Sequence, residues 1–324
     1  MTDNKITNSQ CLNKQFKHWH ECSTGVISTD KTDTYNRRLN EKVGNTTFRK
    51  QFEGGAGKEL DKAFWRVISS SRLCFELYSW IVTKEGIVDF TFEKPLTGIC
   101  SRGSRTNSYM DVFIETSNDL WFIESKFTEK PTTAQLSGAY YQTLDKEGNE
   151  INVDYNKSTF YHTTKNTLAV NVKSLMERFS YKEQVIDPYT RFVKYALKLR
   201  REYTSHWFDT KQEICHLLGI IMYMIDNKDK VNGKTVNFYN IVFNKGMSEE
   251  YITTDDLANR FISKATEMVN TIIRAYNLDI TFNYKSLSIQ DVIKEYGENK
   301  SFCNDNKSMR ESIIENFEGI RVFL

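Results

Sequence analysis

Between residues 87 and 127 three successive runs alternate in the manner of β-strands, and the last carries two charges on one of its faces. The runs are Ile87-Val88-Asp89-Phe90-Thr91-Phe92-Glu93, Met110-Asp111-Val112-Phe113-Ile114-Glu115 and Leu120-Trp121-Phe122-Ile123-Glu124-Ser125-Lys126-Phe127. Pro95 and Gly98 end the first, and the short polar stretch from Thr116 to Asp119 reads as a hairpin loop between the second and third. Strand side chains alternate between faces, so Glu124 and Lys126 point the same way, flanking Ser125 in a strand that is otherwise apolar. A strand of this kind rarely carries two charges on one face without a reason.

The flanking segments supply helices. Leu60, Phe64, Val67 and Ile68 recur at helical spacing and predict a helical stretch from Lys58 to about Ile81, with Ser69-Ser70-Ser71 as a kink or a join between two helices. From about 132 to 226 the pattern is mostly helical, and Gln212 to Ile225 is apolar enough for a buried helix. Thr235 to Phe243 alternates like a strand, Asp255 to about Tyr276 is amphipathic, and Asp279 to Tyr284 is a short strand candidate. Helix, three strands, helix, strand, helix is an α/β plan with a mixed sheet. Residues 1 to about 55 are polar with little periodicity and predict an arm outside the core. We expect one domain from 56 to 324, with a helical insertion over about 132–205.

Composition excludes several classes. Forty-four Lys and Arg against forty-two Asp and Glu leave a net charge of +2, so any affinity for nucleic acid rests on local patches. No apolar run approaches ~18 residues, and Met1 to Gln10 has no apolar signal core, so a cytoplasmic protein with no membrane partner is expected. Six cysteines are too sparse for a disulfide scaffold, and Cys74, Cys100 and Cys215 read as buried thiols. Cys11, His18, His20 and Cys22 do not have the spacing of a zinc site. No histidine lies in a nucleophile motif, and no P-loop is present.

Asp111 and Glu124 lie thirteen positions apart, one on each arm of the hairpin. Two carboxylates and the Ser125 backbone carbonyl are hard oxygen ligands suited to Mg(II), which keeps water for reaction with a phosphate. The Lys126 ammonium can orient an attacking water and offset charge in the transition state. The bland reading is a Glu124–Lys126 ion pair on a solvated face. Arg102 and Arg105, in a Ser/Gly/Thr/Asn loop before Asp111, are candidate phosphate contacts. Arg191, Lys194, Lys198 and Arg201 share a helix face that reads equally as a solvated one.

These residues resemble the metal-site hairpin of the PD-(D/E)xK nucleases, the restriction-endonuclease-like superfamily. Gly55-Ala56-Gly57-Lys58-Glu59-Leu60, Ser69-Ser70-Ser71-Arg72-Leu73, Phe92-Glu93 with Pro95, Thr97 and Gly98, and Glu124-Ser125-Lys126-Phe127-Thr128-Glu129 are similar to motifs of a bacterial family within it. Asp209-Thr210-Lys211-Gln212 and His216-Leu217-Leu218-Gly219 resemble a later helix of that family. The likeness spans about 54 to 275; the segment before Asp111 lacks the expected prolines. It implies an α-β-β-β-α-β core and Mg(II)-dependent hydrolysis of DNA, with Asp111 and Glu124 as metal ligands, Lys126 as catalytic lysine and Glu59 as an accessory acid on the entering helix. Gln212 is placed to reach the site or a phosphate, and Glu93 and Glu129 are weaker candidates. Double-strand cleavage would favour a homodimer, and a restriction or defence role follows from the likeness alone. The rival reading is a non-catalytic nucleic-acid-binding protein of the same fold.

Overall fold

The computed structural model describes residues 21–55, 59–101, 104–127, 210–243 and 249–324, with residues 15, 18, 19, 188, 191, 192, 195 and 199. Its centre is a five-stranded mixed sheet. Strand β3 (Ile87–Ser101), β4 (Ser104–Thr116) and β5 (Asp119–Lys126) form an antiparallel meander, and β6 (Lys234–Val242) and β7 (Ile280–Ser288) continue it in parallel, in the order β3-β4-β5-β6-β7. The α/β class with a mixed sheet is the one expected from the sequence. The hairpin between β4 and β5 turns on Ser117 and Asn118, where the Thr116 hydroxyl accepts from the Asn118 and Asp119 amides.

Each face of the sheet has its own core. Met110, Phe113, Leu120, Phe122, Val236 and Phe238 pack with helix α4 (Thr210–Asp226) and α6 (Glu249–Ala275); the short helix α5 (Lys228–Val231) links α4 to β6. Phe90, Phe92, Val112, Ile114, Ile123, Ile241 and Phe243 form the other core. They meet α1 (Thr29–Leu39), α2 (Phe48–Gly54), α3 (Ser70–Tyr78), α7 (Ile289–Tyr296) and α8 (Met309–Asn316). A sheet buried on both faces accounts for strands as continuously apolar as Leu120 to Ile123.

Two expectations give way here. The stretch from Lys58 to about Ile81 breaks at the serine run, as a join there requires, but its first part is not an α-helix: a single 3-10 turn at Glu59–Asp61 is followed by an irregular run, and α3 begins at Ser70. The Ser69 hydroxyl caps α3 by accepting from the Arg72 amide at 3.1 Å. The fully buried Arg72 guanidinium takes up the Arg66 and Val67 carbonyls at 2.9 and 2.7 Å, which a continuous helix would have turned to its own amides. The polar arm is also more than an arm. From Thr29 on it folds into α1, the small hairpin of β1 (Lys42–Val43) and β2 (Thr46–Thr47), and α2. Tyr35, Leu39, Phe48 and Phe52 are buried, a four-residue spacing within each helix that the surrounding Asn, Thr and Lys obscured.

Most of the helical insertion proposed over 132–205 lies outside the described residues. Among the described residues no helix is long and apolar enough to cross a membrane.

Candidate metal-binding site

Three neighbouring strands bring three acids into one row. The β4–β5 register pairs Val112 with Ile123, and one step further sets Asp111 against Glu124. On the other side, Phe92 pairs with Val112 and Lys94 with Met110, which leaves Glu93 opposite Asp111. Both β3 and β4 change phase at these acids. Phe92 and Val112 belong to one core, whereas Leu96 and Met110, at positions of the same parity, belong to the other. Glu93 has a φ of 52°, the left-handed region that non-glycine residues rarely adopt. The sheet is thus locally rewound where Glu93 and Asp111 stand, as a bulge re-aims side chains.

Backbone room for Glu93 comes from Gly55. A Cβ added at Gly55 would lie 2.5 Å from Glu93 Oε2 and 2.8 Å from its Cγ, so only glycine lets the end of α2 approach this closely. The same helix covers the outer edge of β3, where the Gln51 side chain accepts from the Phe92 amide at 2.8 Å. Glu59 is held by the Ser71 hydroxyl, which donates to its Oε2 at 2.6 Å. It begins a 3-10 turn rather than a helix, but its charge is felt at Glu93.

Glu124 is fully buried, with donors on Oε1 and an imidazole nitrogen close to Oε2. Lys126 Nζ lies 2.6 Å from Oε1, and Gln212 Nε2 of α4 donates to the same oxygen at 2.6 Å. His216 Nε2, one helical turn further along α4, lies 3.1 Å from Oε2. Burial works against the charge of Glu124, but Lys126 and His216 outweigh it and hold the carboxyl at about 2. Asp111 is half-buried and has one donor in view, the Ser125 amide, which donates to Oδ2 at 2.7 Å. Withdrawal from water, then the Glu124 charge, pushes its carboxyl well above the usual range, with Lys126 and the Ser125 amide opposing. Glu93 is pushed up to about 8 by burial and by the charges of Glu124 and Glu59. Beneath the acids lies Cys74, buried and unpaired as expected, its thiol raised by burial and by Asp111.

The oxygens present suit a hard divalent cation. A carboxylate has about four lone-pair sites. Lys126 and Gln212 use two on Glu124 Oε1, and the Ser125 amide uses one on Asp111, so both retain ligating capacity. A strand residue turns its N–H and C=O to the same edge, so the Ser125 carbonyl faces the Asp111 side, beyond the last β4–β5 pair. Among the described residues no group of three or more His, Cys, Asp and Glu side chains is placed to hold a metal ion; the candidate set is two carboxylates and a backbone oxygen.

Asp111, Glu124, Ser125, Lys126 and Gln212 therefore stand together, with Glu59 joined to them through Glu93. The Glu124–Lys126 ion pair exists, but on a buried face rather than a solvated one. Arg105 stands on β4 opposite Cys100; Arg102, Glu129 and Lys194, Lys198 and Arg201 of the basic helix lie outside the described residues. In the N-terminal cluster Cys22 Sγ lies 3.7 Å from His18 Nδ1, while Cys11 and His20 are outside the described residues. Ser108 escaped the sequence, and His216 was named there only within the later-helix likeness: Ser108, 108 positions away, hydrogen-bonds to His216 Nδ1. A histidine in the most apolar helix, four positions after Gln212, was the available signal. Compared with known proteins, the chain matches no family model, no curated protein and no solved structure.

Proposed function

We propose that the protein is a Mg(II)-dependent nuclease that hydrolyses DNA phosphodiester bonds, with a restriction-endonuclease-like core. The observation that carries this reading is the row Glu93–Asp111–Glu124 with Lys126 on its last member: a lysine-paired, ionised carboxylate beside two carboxyls short of positive charge. The element order supports it. A helix, α3, precedes an antiparallel meander; a helix, α4, follows; and the next strand, β6, runs parallel to the third strand of the meander. That is the α-β-β-β-α-β order the sequence resemblance implies.

Asp111, Glu124 and the Ser125 carbonyl would hold the cation. Bound there, Mg(II) supplies Lewis acidity toward a phosphate oxygen and lowers the pKa of a bound water. The chain's own groups do the rest. Gln212, His216 and Lys126 fix the Glu124 carboxylate in its ionised form. The Lys126 ammonium, 30% exposed, can hydrogen-bond an attacking water and offset charge as the phosphorus becomes five-coordinate. Glu59 adds negative charge on the far side of Asp111, and Glu93, its carboxyl raised to about 8, would release its proton once a cation occupied the half-buried end of the row.

Plasmid and oligonucleotide cleavage with and without Mg(II) tests the reading. Cleavage should require the metal and vanish in Asp111→Ala and Glu124→Ala variants whose circular dichroism matches the native protein. Native activity in either variant would refute the site. Metal-independent binding of DNA with no cleavage would favour the rival, a binding protein.

A further inference from the structure

The geometry points to His216 as a positioning residue that donates from Nε2 to Glu124 while Nδ1 accepts from the Ser108 hydroxyl; this rests on the metal-dependent reading above. Helix α4 meets the Glu124 carboxylate twice, four residues apart: Gln212 reaches Oε1 at 2.6 Å and His216 reaches Oε2 at 3.1 Å. Spacing of four puts both side chains on one helix face, so a single rigid element grips both oxygens. His216 Nε2 and Glu124 Oε2 are both buried and stand 3.1 Å apart, and among the described residues neither meets hydrogen-bond geometry with any group as placed. Leaving both unpaired in this core would be costly, and a small turn of the imidazole that aims Nε2–H at Oε2 satisfies the two together.

A neutral imidazole has one N–H and one lone pair. To donate from Nε2 it must accept at Nδ1, and the group there is the Ser108 hydroxyl, itself buried on β4. Ser108 lies three positions before Asp111 on the same strand. One chain, Ser108–His216–Glu124, therefore ties the two proposed ligand-bearing strands to α4. Ser108 is not read as a nucleophile: it is 6% exposed, and its partner His216 is 2% exposed. A histidine locked in one tautomer and aimed at a ligating carboxylate orients that carboxylate, and losing such a partner costs ten- to a hundredfold in metal affinity or activity.

Glutamine and asparagine separate the two ring nitrogens. The glutamine amide nitrogen reaches about where Nε2 lies, whereas asparagine stops near Nδ1. Magnesium binding by calorimetry, beside the Mg(II) concentration for half-maximal cleavage, should weaken by about ten- to a hundredfold in His216→Asn and be largely restored in His216→Gln. Thermal melting of both variants separates positioning from folding. Equal magnesium affinities in His216→Asn and His216→Gln, or weakening that tracks loss of melting temperature alone, would overturn the proposal. In the metal-free native protein, nitrogen NMR assigned by comparison with His216→Gln should show a proton on Nε2. An Nε2 without a proton overturns the proposal whether or not the protein cleaves DNA. An absence of Mg(II)-dependent cleavage together with the Nε2–H tautomer would instead refute the nuclease reading and leave the Ser108–His216–Glu124 orientation standing.

Discussion

Replacing Glu93 by glutamine should make the metal-free protein more stable, and the gain should grow with pH. Burial and the charges of Glu124 and Glu59 raise its carboxyl from 4.5 to about 8. Between those values the folded protein keeps a proton that the unfolded chain has released, so native stability falls as pH rises through this window and levels off above the folded value. One bound proton is worth about 1.4 kcal/mol per pH unit. Three units, from pH 5 to 8, set a ceiling of about 4 kcal/mol. Asp111 and Glu124 share the repulsion, and water reaches the half-buried Glu93, so about 2 kcal/mol is the expected change. Glu93→Gln has the shape of the protonated acid and lacks this slope. Urea unfolding in EDTA at pH 5, 6, 7 and 8 should show native and variant within about 1 kcal/mol at pH 5 and the variant ahead by about 2 kcal/mol at pH 8. Saturating Mg(II) should shrink the gap, because a cation in the row offsets the repulsion that the substitution removes. Curves that stay parallel across the range, or a variant less stable at pH 8, would refute the claim that Glu93 is charge-strained.

Lys126→Met should retain or slightly tighten Mg(II) binding by calorimetry while single-turnover cleavage drops at least about a hundredfold, because Gln212 and His216 still hold Glu124 and only the ammonium is lost. Lys126→Arg should not rescue it fully, and joint loss of metal binding and cleavage would make the lysine a structural partner only. Gly55→Ala should cost about 1–3 kcal/mol in unfolding free energy, and most of that cost should vanish in a Glu93→Ala background. Additive costs would show that the added methyl strains something else. Replacing Arg102 and Arg105 together by alanine should flatten the salt dependence of DNA binding by about one to two units, and an unchanged slope would remove that segment from the interface.

The meander and the pair Asp111–Glu124 were legible because strand alternation and hairpin spacing are local properties, carried by runs such as Leu120 to Phe127. The buried helix α4 was legible for the same reason, in its apolar residues from Ile214 to Met224. What the sequence hid depends on contacts distant in the chain. Nothing in the run Ser69-Ser70-Ser71-Arg72-Leu73 marks its arginine as buried, yet Arg72 is fully buried, with its guanidinium 4.2 Å from the Phe317 ring centroid. Glu76, in the same helix, is equally buried, accepting from Tyr35 of α1 and from Ser312 and Asn316 of α8. These contacts draw the N-terminal segment and the C-terminal helix onto α3, and no periodicity within residues 58–81 could have announced them. Glu93 was only a weaker candidate, for a different reason. Its phase change and positive φ are backbone events, and they placed an acid at the end of an ordinary-looking strand into the row.

The three carboxylates of that row have similar chemistry in isolation and opposite fates in the fold, and the difference lies in what faces them. Glu124 points toward α4, where an ammonium and an amide lie 2.6 Å from Oε1 and an imidazole nitrogen 3.1 Å from Oε2. Asp111 and Glu93 stand at the rewound edge, where among the described residues the donor to Asp111 is a backbone amide and where Glu59 adds a further charge. A group of acids driven apart in this way divides its labour by environment, one member kept ionised and the others awaiting positive charge. Since Asp111 and Glu93 are also the members that solvent reaches, a cation arriving from outside gains most there, and Glu124 is already set to receive it. The arrangement therefore costs the metal-free protein stability at the place where binding a divalent ion would return it.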